Sequence, residues 1–341
     1  MRFDELGIRI KQYEAQTTKT TLMPGLPVYA RIDGRAFHTF CRGLKKPFCY
    51  ELVETMQEVT KFLVEETHAQ LGYVQSDEIS LCWLDIDKAP FDGKLFKLQS
   101  VLASLATAKF ITYIDATSFD LNLQSNSDYP DYYPNPERIG QFNLLDDKVH
   151  SIIPSFDCRV FQLPNEMELA NTFVWREIDA VRNSVSMLAQ ANFSHKELQG
   201  KDRKAMLTML EEKGIRWNEL PDDLKRGAYF KRVLVEKELP DSVWYKIPEK
   251  NRPESRTVIR SEVQRYNIPE MKTVKNKPGV YFHDEQPLYK DFEAIIGDGE
   301  VYHCPVCNCE WELHWENIDG NEFDLTCQCG QGLHFIKRKN T

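Results

Sequence analysis

The stretch YARIDGRAFHTF, residues 29–40, decides how this chain is read. An apolar run, LPVYARI at 26–32, has the composition of a strand and stops on Asp33-Gly34-Arg35, with His38 just beyond. A second stretch, GYVQSDEISLCWL at 72–84, has the same form: two apolar runs broken by Ser76-Asp77-Glu78. Short runs rich in Val, Ile, Tyr and Leu, bounded by Asp, Gly and Ser, read as strands meeting at tight turns. Both stretches put carboxylates where a buried strand ends.

The segments around them complete a pattern. Leu52, Met56, Val59 and Leu63 recur at steps of four, three and four, which predicts an amphipathic helix from Pro47 to His68. Pro47 suits its first turn. A second helix is expected over 93–109, with Leu95, Leu98, Leu102 and Leu105 on one face. Residues 115–156 are polar and Pro-rich and are expected to be irregular; 157–163, DCRVFQL, is another strand. The order is β-α-β-β-α-β, the split βαβ or ferredoxin-like plan of an α+β fold. In that plan the first and third strands lie side by side, so Asp33 can meet Asp77 and Glu78.

Downstream the chain turns helical. NEMELANTFVWREIDAVRNSVSMLAQANF predicts one long helix and SHKELQGKDRKAMLTMLEEKG a second. Residues 215–240 are mixed, and 241–298 are loop-rich, with prolines at 248, 253, 269, 278 and 287. Three regions are therefore expected: a catalytic domain at 1–240, a basic connecting region at 241–298, and a small unit at 299–341.

Composition narrows the setting. The 341 residues are 42% hydrophobic, enough for a sizeable core, and no window approaches 18 consecutive apolar residues. The N-terminal MRFDELGIRIKQYE reads as an amphipathic helix without the apolar centre of a signal peptide, so a cytoplasmic protein with no membrane association is expected. The net charge of −9 gives no global pull toward nucleic acid. Residues 246–277, however, carry nine Lys or Arg against four Glu, and residues 196–232 ten basic against seven acidic. Such local surfaces suit phosphate contact; solvated faces are the plain alternative.

The acidic pair suggests a chemistry. Magnesium takes hard oxygen ligands, one or two carboxylates with water and phosphate oxygens. Two ions about 3.5–4 Å apart can activate an attacking oxygen and stabilise a leaving one. Asp33 and Asp77 could bridge such a pair, and Gly34, without a side chain, lets its carbonyl approach an ion. Arg35 and His38 could neutralise phosphate. Lys94 and Lys97 lie near the start of the 93–109 helix, a natural phosphate site. Taken singly, Asp-Gly is also an ordinary turn, Ser-Asp-Glu an ordinary hairpin tip, and Lys97 an ordinary surface lysine.

Together, RIDGRAFHTF, KKP, GYVQSDEISL and WREIDAVRNS resemble the tRNA-His guanylyltransferase family, and within it the guanylyltransferase-like branch. The resemblance covers roughly residues 5–235. It implies a polymerase-palm-like domain that adds nucleotides in the 3′-to-5′ direction to the 5′ end of tRNA or another RNA. It implies two Mg2+ on Asp33, the Gly34 carbonyl and Asp77. It implies nucleotide contacts from Asp33, Gly34, Arg35, Ala36, Phe37, His38, Ser76 and Asp77, with Lys97 on the triphosphate and Glu78 supporting catalysis. ATP and GTP are the implied substrates, and a tetramer or dimer the implied assembly. The segment after Trp175-Arg176 departs from the eukaryotic pattern, His-Ile-Asn-Asn-Leu-Tyr-Asn, and keeps only Asn183 in place, which favours a template-dependent repairer of truncated tRNA 5′ ends over strict tRNA-His guanylylation. Arg176, Asp179 and Asn183 share a helix face by i, i+3, i+7 spacing and read equally as a structural pair with a buried amide or as RNA contacts.

Five of the nine cysteines fall between 304 and 329. Cys304-x2-Cys307 and, nineteen residues on, Cys327-x-Cys329 predict a zinc ribbon, in which a structural Zn2+ supplies the folding energy of a short tail. Cys309 or His303 could stand in for one ligand. Two rival readings stay open: a nucleotidyl cyclase or signalling-nucleotide synthase on the same fold, and a non-catalytic RNA-binding protein that has kept it.

Overall fold

The computed structural model describes residues 3–85, 90–125, 136–253, 255–289, 292–303, 309–315, 318, 320, 322–326 and 332–338. The chain divides into two compact units, Met1–Tyr266 and Asn267–Thr341.

The first unit is built on a six-stranded sheet. Helix α1 (Phe3–Thr18) precedes β1 (Val28–Gly34); then follow α2 (Phe37–Phe40), α3 (Tyr50–Thr67), β2 (Leu71–Gln75), β3 (Glu78–Trp83), α4 (Leu95–Ser125), α5 (Pro136–Ile152), β4 (Phe156–Gln162) and α6 (Glu166–Asn192). After short helices come β5 (Ala228–Glu238) and β6 (Thr257–Arg265). The sheet order is β4-β1-β3-β2-β5-β6, with every pair antiparallel. Its first four strands are the split βαβ plan, with β1 and β3 adjacent at the centre. β5 and β6 extend it.

Pleating sorts the residues. Val28, Ala30 and Ile32 of β1, with Ile79, Leu81 and Trp83 of β3, meet Met56, Val59 and Leu63 of α3 and Leu98 and Leu102 of α4 in one core. Each side chain of this kind stabilises the fold by about 1.5–3 kcal/mol on burial. The other face of β1 carries Tyr29, whose ring meets Phe173 of α6 edge-on at 5.3 Å. The sheet is therefore covered on both faces, and α6 sits on the face that Tyr29, Arg31 and Asp33 share.

Two stretches differ from the sequence expectation. The second helix does not end near 109 but runs to Ser125, and Pro136–Ile152, expected to be irregular, is α5. Phe142, Leu145 and Val149 recur at steps of three and four and are buried against Phe110 and Ile114 of α4. The prolines around 130–136 obscured that period, and tertiary packing supplies the helix that composition argued against. The region 241–298 is also less loop-like than expected, since it contains β6.

In the second unit, β7 (Phe292–Ile296), β10 (Glu322–Thr326) and β11 (Gly332–Lys337) form a sheet of order β10-β11-β7, and β8 (Glu300–His303) pairs with β9 (Glu310–Leu313). Ile296, Trp315, Leu333 and Phe335 make its small core. Cys304, Cys307, Cys327 and Cys329, the expected zinc ligands, lie outside the described residues.

Candidate functional site

The end of β1 and the β2–β3 turn are held together by backbone. In the β1–β3 register Asp33 stands directly opposite Glu78. One residue further, the Gly34 amide donates to the Asp77 carbonyl at 3.0 Å. The turn is made by Ser76 at φ 52°, in the left-handed region, and its hydroxyl donates to Asp77 Oδ1 at 3.0 Å. Residues 43 apart in sequence thus meet at one end of the sheet, as the β-α-β-β-α-β order requires.

Gly34 is glycine for a reason the sequence did not show. A Cβ there would lie 2.4 Å from Phe37 Cδ2. Phe37 is 3% exposed and packs at 5.1 Å from Phe40, 5.6 Å from Phe110 and 5.1 Å from Phe156. Its ring belongs to the core, so only its backbone can face a ligand. Ala36 turns the chain at φ 56° into α2, leaving Arg35 and His38 exposed on either side. The Arg35 amide donates to the Ser155 carbonyl at 2.8 Å, and His38 Nε2 lies 3.0 Å from Thr39 Oγ1.

The three acids are not equivalent. Glu78 is neutralised: Arg176 Nε donates to its Oε1 at 2.5 Å and Arg31 Nε lies 3.8 Å from its Oε2. Burial raises its pKa, and the two arginines oppose that shift. Asp77 is also raised, first by burial, with the nearby Asp33 charge adding to it. No described lysine or arginine forms an ion pair with Asp33 or Asp77. Two adjacent carboxylates, one of them largely desolvated, without a protein cation between them are the donor set that a hard divalent ion fits.

Other expected residues fall outside this cluster. Lys97 is exposed near the start of α4, with Nζ 4.9 Å from the Phe91 ring, and no described contact joins it to the acids. The Cys49 thiol is pushed by burial to about 11, so the protonated form prevails at neutral pH and it is no nucleophile. Arg176, Asp179 and Asn183 do share a face: Arg176 Nη2 donates to Asp179 Oδ2 at 3.0 Å, and Asn183 Nδ2 to the same oxygen at 3.4 Å. The Arg176–Asp179 pair of the structural reading is present, with the Asn183 amide half-buried rather than buried. What the spacing could not show is the reach of Arg176, over 98 residues of sequence, to Glu78.

Asp157 was overlooked. It stands opposite Asp33 on the β4 side, so Asp33 is flanked by an acid on each neighbouring strand. Its place as the first acid of a strand was the available signal.

An antiparallel sheet that brings two aspartates without a described basic partner to one end suits metal-dependent nucleotidyl transfer, and the comparisons with known proteins assign the class. The family model described as Thg1, tRNAHis guanylyltransferase, matches residues 7–164. A bacterial tRNA(His) guanylyltransferase-like protein solved in complex with ATP is 37% identical, with a TM-score of 0.53, covering 73% of this chain and 93% of that one. Another such bacterial structure, in complex with GTP, is 29% identical with a TM-score of 0.52, covering 79% and 94%. The tRNA(His) guanylyltransferase of Schizosaccharomyces pombe is 26% identical over 243 residues, 67% of this chain and 81% of the relative. The chain belongs to the tRNAHis guanylyltransferase family.

Proposed function

We propose that this protein adds nucleotides in the 3′-to-5′ direction to the 5′ end of tRNA, using ATP and GTP, and that its preferred substrates are tRNAs with truncated 5′ ends. The observation that carries this reading is the meeting of Asp33 and Asp77, uncompensated by any described basic residue, at one end of the sheet. The family membership and the ATP and GTP complexes of its relatives support it.

In this reading Asp33, the Gly34 carbonyl and Asp77 hold two Mg2+ on a polymerase-palm-like sheet. Bound there, the ions supply charge neutralisation for phosphoryl transfer, in which positioning does most of the work. The chain's own part is to hold the acids. The Gly34–Asp77 backbone bond fixes their spacing, and the Arg176–Glu78 pair keeps the third acid out of competition for cations. In this reading Arg35, Ser76, the backbone of Ala36 and Phe37, and the exposed His38 receive the nucleotide's phosphates and base, and Lys97 near the start of α4 answers the triphosphate. The 5′-monophosphate of the RNA takes the adenylyl group of ATP with release of pyrophosphate, or the RNA arrives as a triphosphate; the 3′-hydroxyl of the incoming nucleotide then attacks the 5′ phosphorus, its proton passes to solvent, and AMP or pyrophosphate leaves.

The reading includes a cytoplasmic homo-oligomer and a Zn2+ held by Cys304, Cys307, Cys327 and Cys329 in the C-terminal part. No described helix is long and apolar enough to cross a membrane. Metal analysis of the purified protein should find about one zinc per chain, lost on replacing Cys304 and Cys307 by serine.

The direct test offers purified protein tRNAs lacking one or two 5′ nucleotides, with ATP, GTP and magnesium. Extension at the 5′ end is the predicted result. No extension of any tRNA, by protein that binds both nucleotide and magnesium, would overturn the reading.

A further inference from the structure

The WREIDAVRNS segment supplies α6 with residues that the proposed chemistry leaves unused. Its inward side chains are committed, since Arg176 holds Glu78 and Asp179, and Asn183 donates to Asp179. Its outward residue is Trp175, which is 50% exposed, whereas Trp83 and Trp315 are 1% and 2% exposed. The Trp175 ring lies 4.5 Å from the Arg176 guanidinium carbon and 5.9 Å from that of Arg31. These are the two arginines that hold Glu78, and Glu78 stands opposite Asp33. The indole is therefore connected to the acidic site through a single layer of side chains.

The surface continues along the helix. Ile178, 47% exposed, and Arg182, with its side chain 69% exposed, follow Trp175 at i+3 and i+7 and so share its stripe. Seven residues of helix span about 10.5 Å. That is longer than one nucleobase and suits a short run of stacked nucleotides.

We infer that Trp175 is a stacking platform for an unpaired base near the 5′ end of the RNA substrate, with Ile178 and Arg182 continuing the contact along the strand. The inference rests on the proposed activity. An aromatic face stacks with any base and needs no particular sequence. Arg31 and Arg176 lie beside the ring but are paired with Glu78, whereas Arg182, further along the stripe, keeps an exposed guanidinium while pairing with Asp179, and this cationic edge favours a polyanion over a neutral protein surface. The incoming nucleotide and a second copy of this chain are the other occupants, and the test separates them.

Trp175→Ala and Trp175→Phe are compared with the unaltered protein in three measurements: affinity for a tRNA lacking its first 5′ nucleotide, affinity for GTP, and sedimentation. Loss of one base stack should weaken RNA binding about tenfold or more in W175A, while W175F, which still stacks, stays within about threefold. GTP affinity and sedimentation should not change. RNA binding by W175A equal to that of the unaltered protein overturns the inference, as does a loss confined to GTP or a change of assembly. If W175A does not fold, Ile178→Glu on the same stripe takes its place, with the same weakening expected and unchanged RNA binding again overturning the inference. Failure of the unaltered protein to extend any tRNA defeats the proposed activity itself. Extension with W175A binding RNA normally defeats only the platform.

Discussion

The Gly34 amide donates to the Asp77 carbonyl at 3.0 Å, so the end of β1 and the β2–β3 turn form one backbone unit. Asp77 supplies the accepting carbonyl of that bond, and Asp33 is the residue next to its donor. Their proximity is a property of sheet register, which makes the spacing of the acids hard to change without breaking strand pairing.

Gly34→Ala tests how rigid that unit is. The added methyl would lie 2.4 Å from the Phe37 ring, which three other phenylalanine rings hold in place. Overpacking of this kind costs about 1–3 kcal/mol. A lowered urea midpoint together with a loss of nucleotide addition is expected. Unchanged stability would mean that the Phe37 ring gives way.

Asp33→Asn and Asp77→Asn separate catalysis from folding. Each removes one of two neighbouring negative charges that lack a described basic partner, so thermal stability without magnesium should hold or rise. Nucleotide addition should fall to background, and the stabilisation of the unaltered protein by magnesium should disappear in both variants. Thermal scans with and without magnesium, beside an extension assay, read all three.

Arg176→Met should behave in the opposite way. Its side chain is 9% exposed and Glu78's 12% exposed, so the substitution strands a buried carboxylate with only Arg31 at 3.8 Å to answer it. Breaking a buried pair from one side costs about 3–5 kcal/mol, and the remaining arginine places the expectation at the low end. Adding Glu78→Gln should recover much of the loss. Chemical denaturation of the single and double variants gives the coupling.

Asp222 offers a pH prediction away from the acids. It is lowered below its ordinary 3.8: burial acts to raise it, and Arg226, with Lys225, outweighs that. Arg226 also reaches the buried Glu177 at 3.1 Å. A depressed carboxylate contributes stability above its unfolded value and loses it as pH falls through the folded value. The melting temperature should therefore decline below about pH 4, and less steeply in Asp222→Asn. The difference should be small, under about 1 kcal/mol, because the Asp222 side chain is 56% exposed.

Most of this architecture was legible in the sequence. The apolar alternation of β1 and β3 and the four-three-four spacing in α3 encode the central elements, and their order alone brings Asp33 toward Asp77. Long α6 was equally clear from its period. The reach of Arg176 to Glu78 was not legible, because side-chain contacts across 98 residues leave no periodic trace. Helix α5 was hidden by neighbouring prolines although Phe142, Leu145 and Val149 carried its period. The role of Gly34 was read as permission for a close ligand, when the nearer constraint is the Phe37 ring.

The central claim is that Asp33 and Asp77 share divalent cations with a nucleotide. Crystals of the protein with Mn2+ and a non-hydrolysable GTP analogue test it most directly through anomalous scattering. The account predicts manganese peaks liganded by both aspartates and by the triphosphate. Bound nucleotide with no peak at these two side chains, or with manganese held by Glu78 instead, would contradict it.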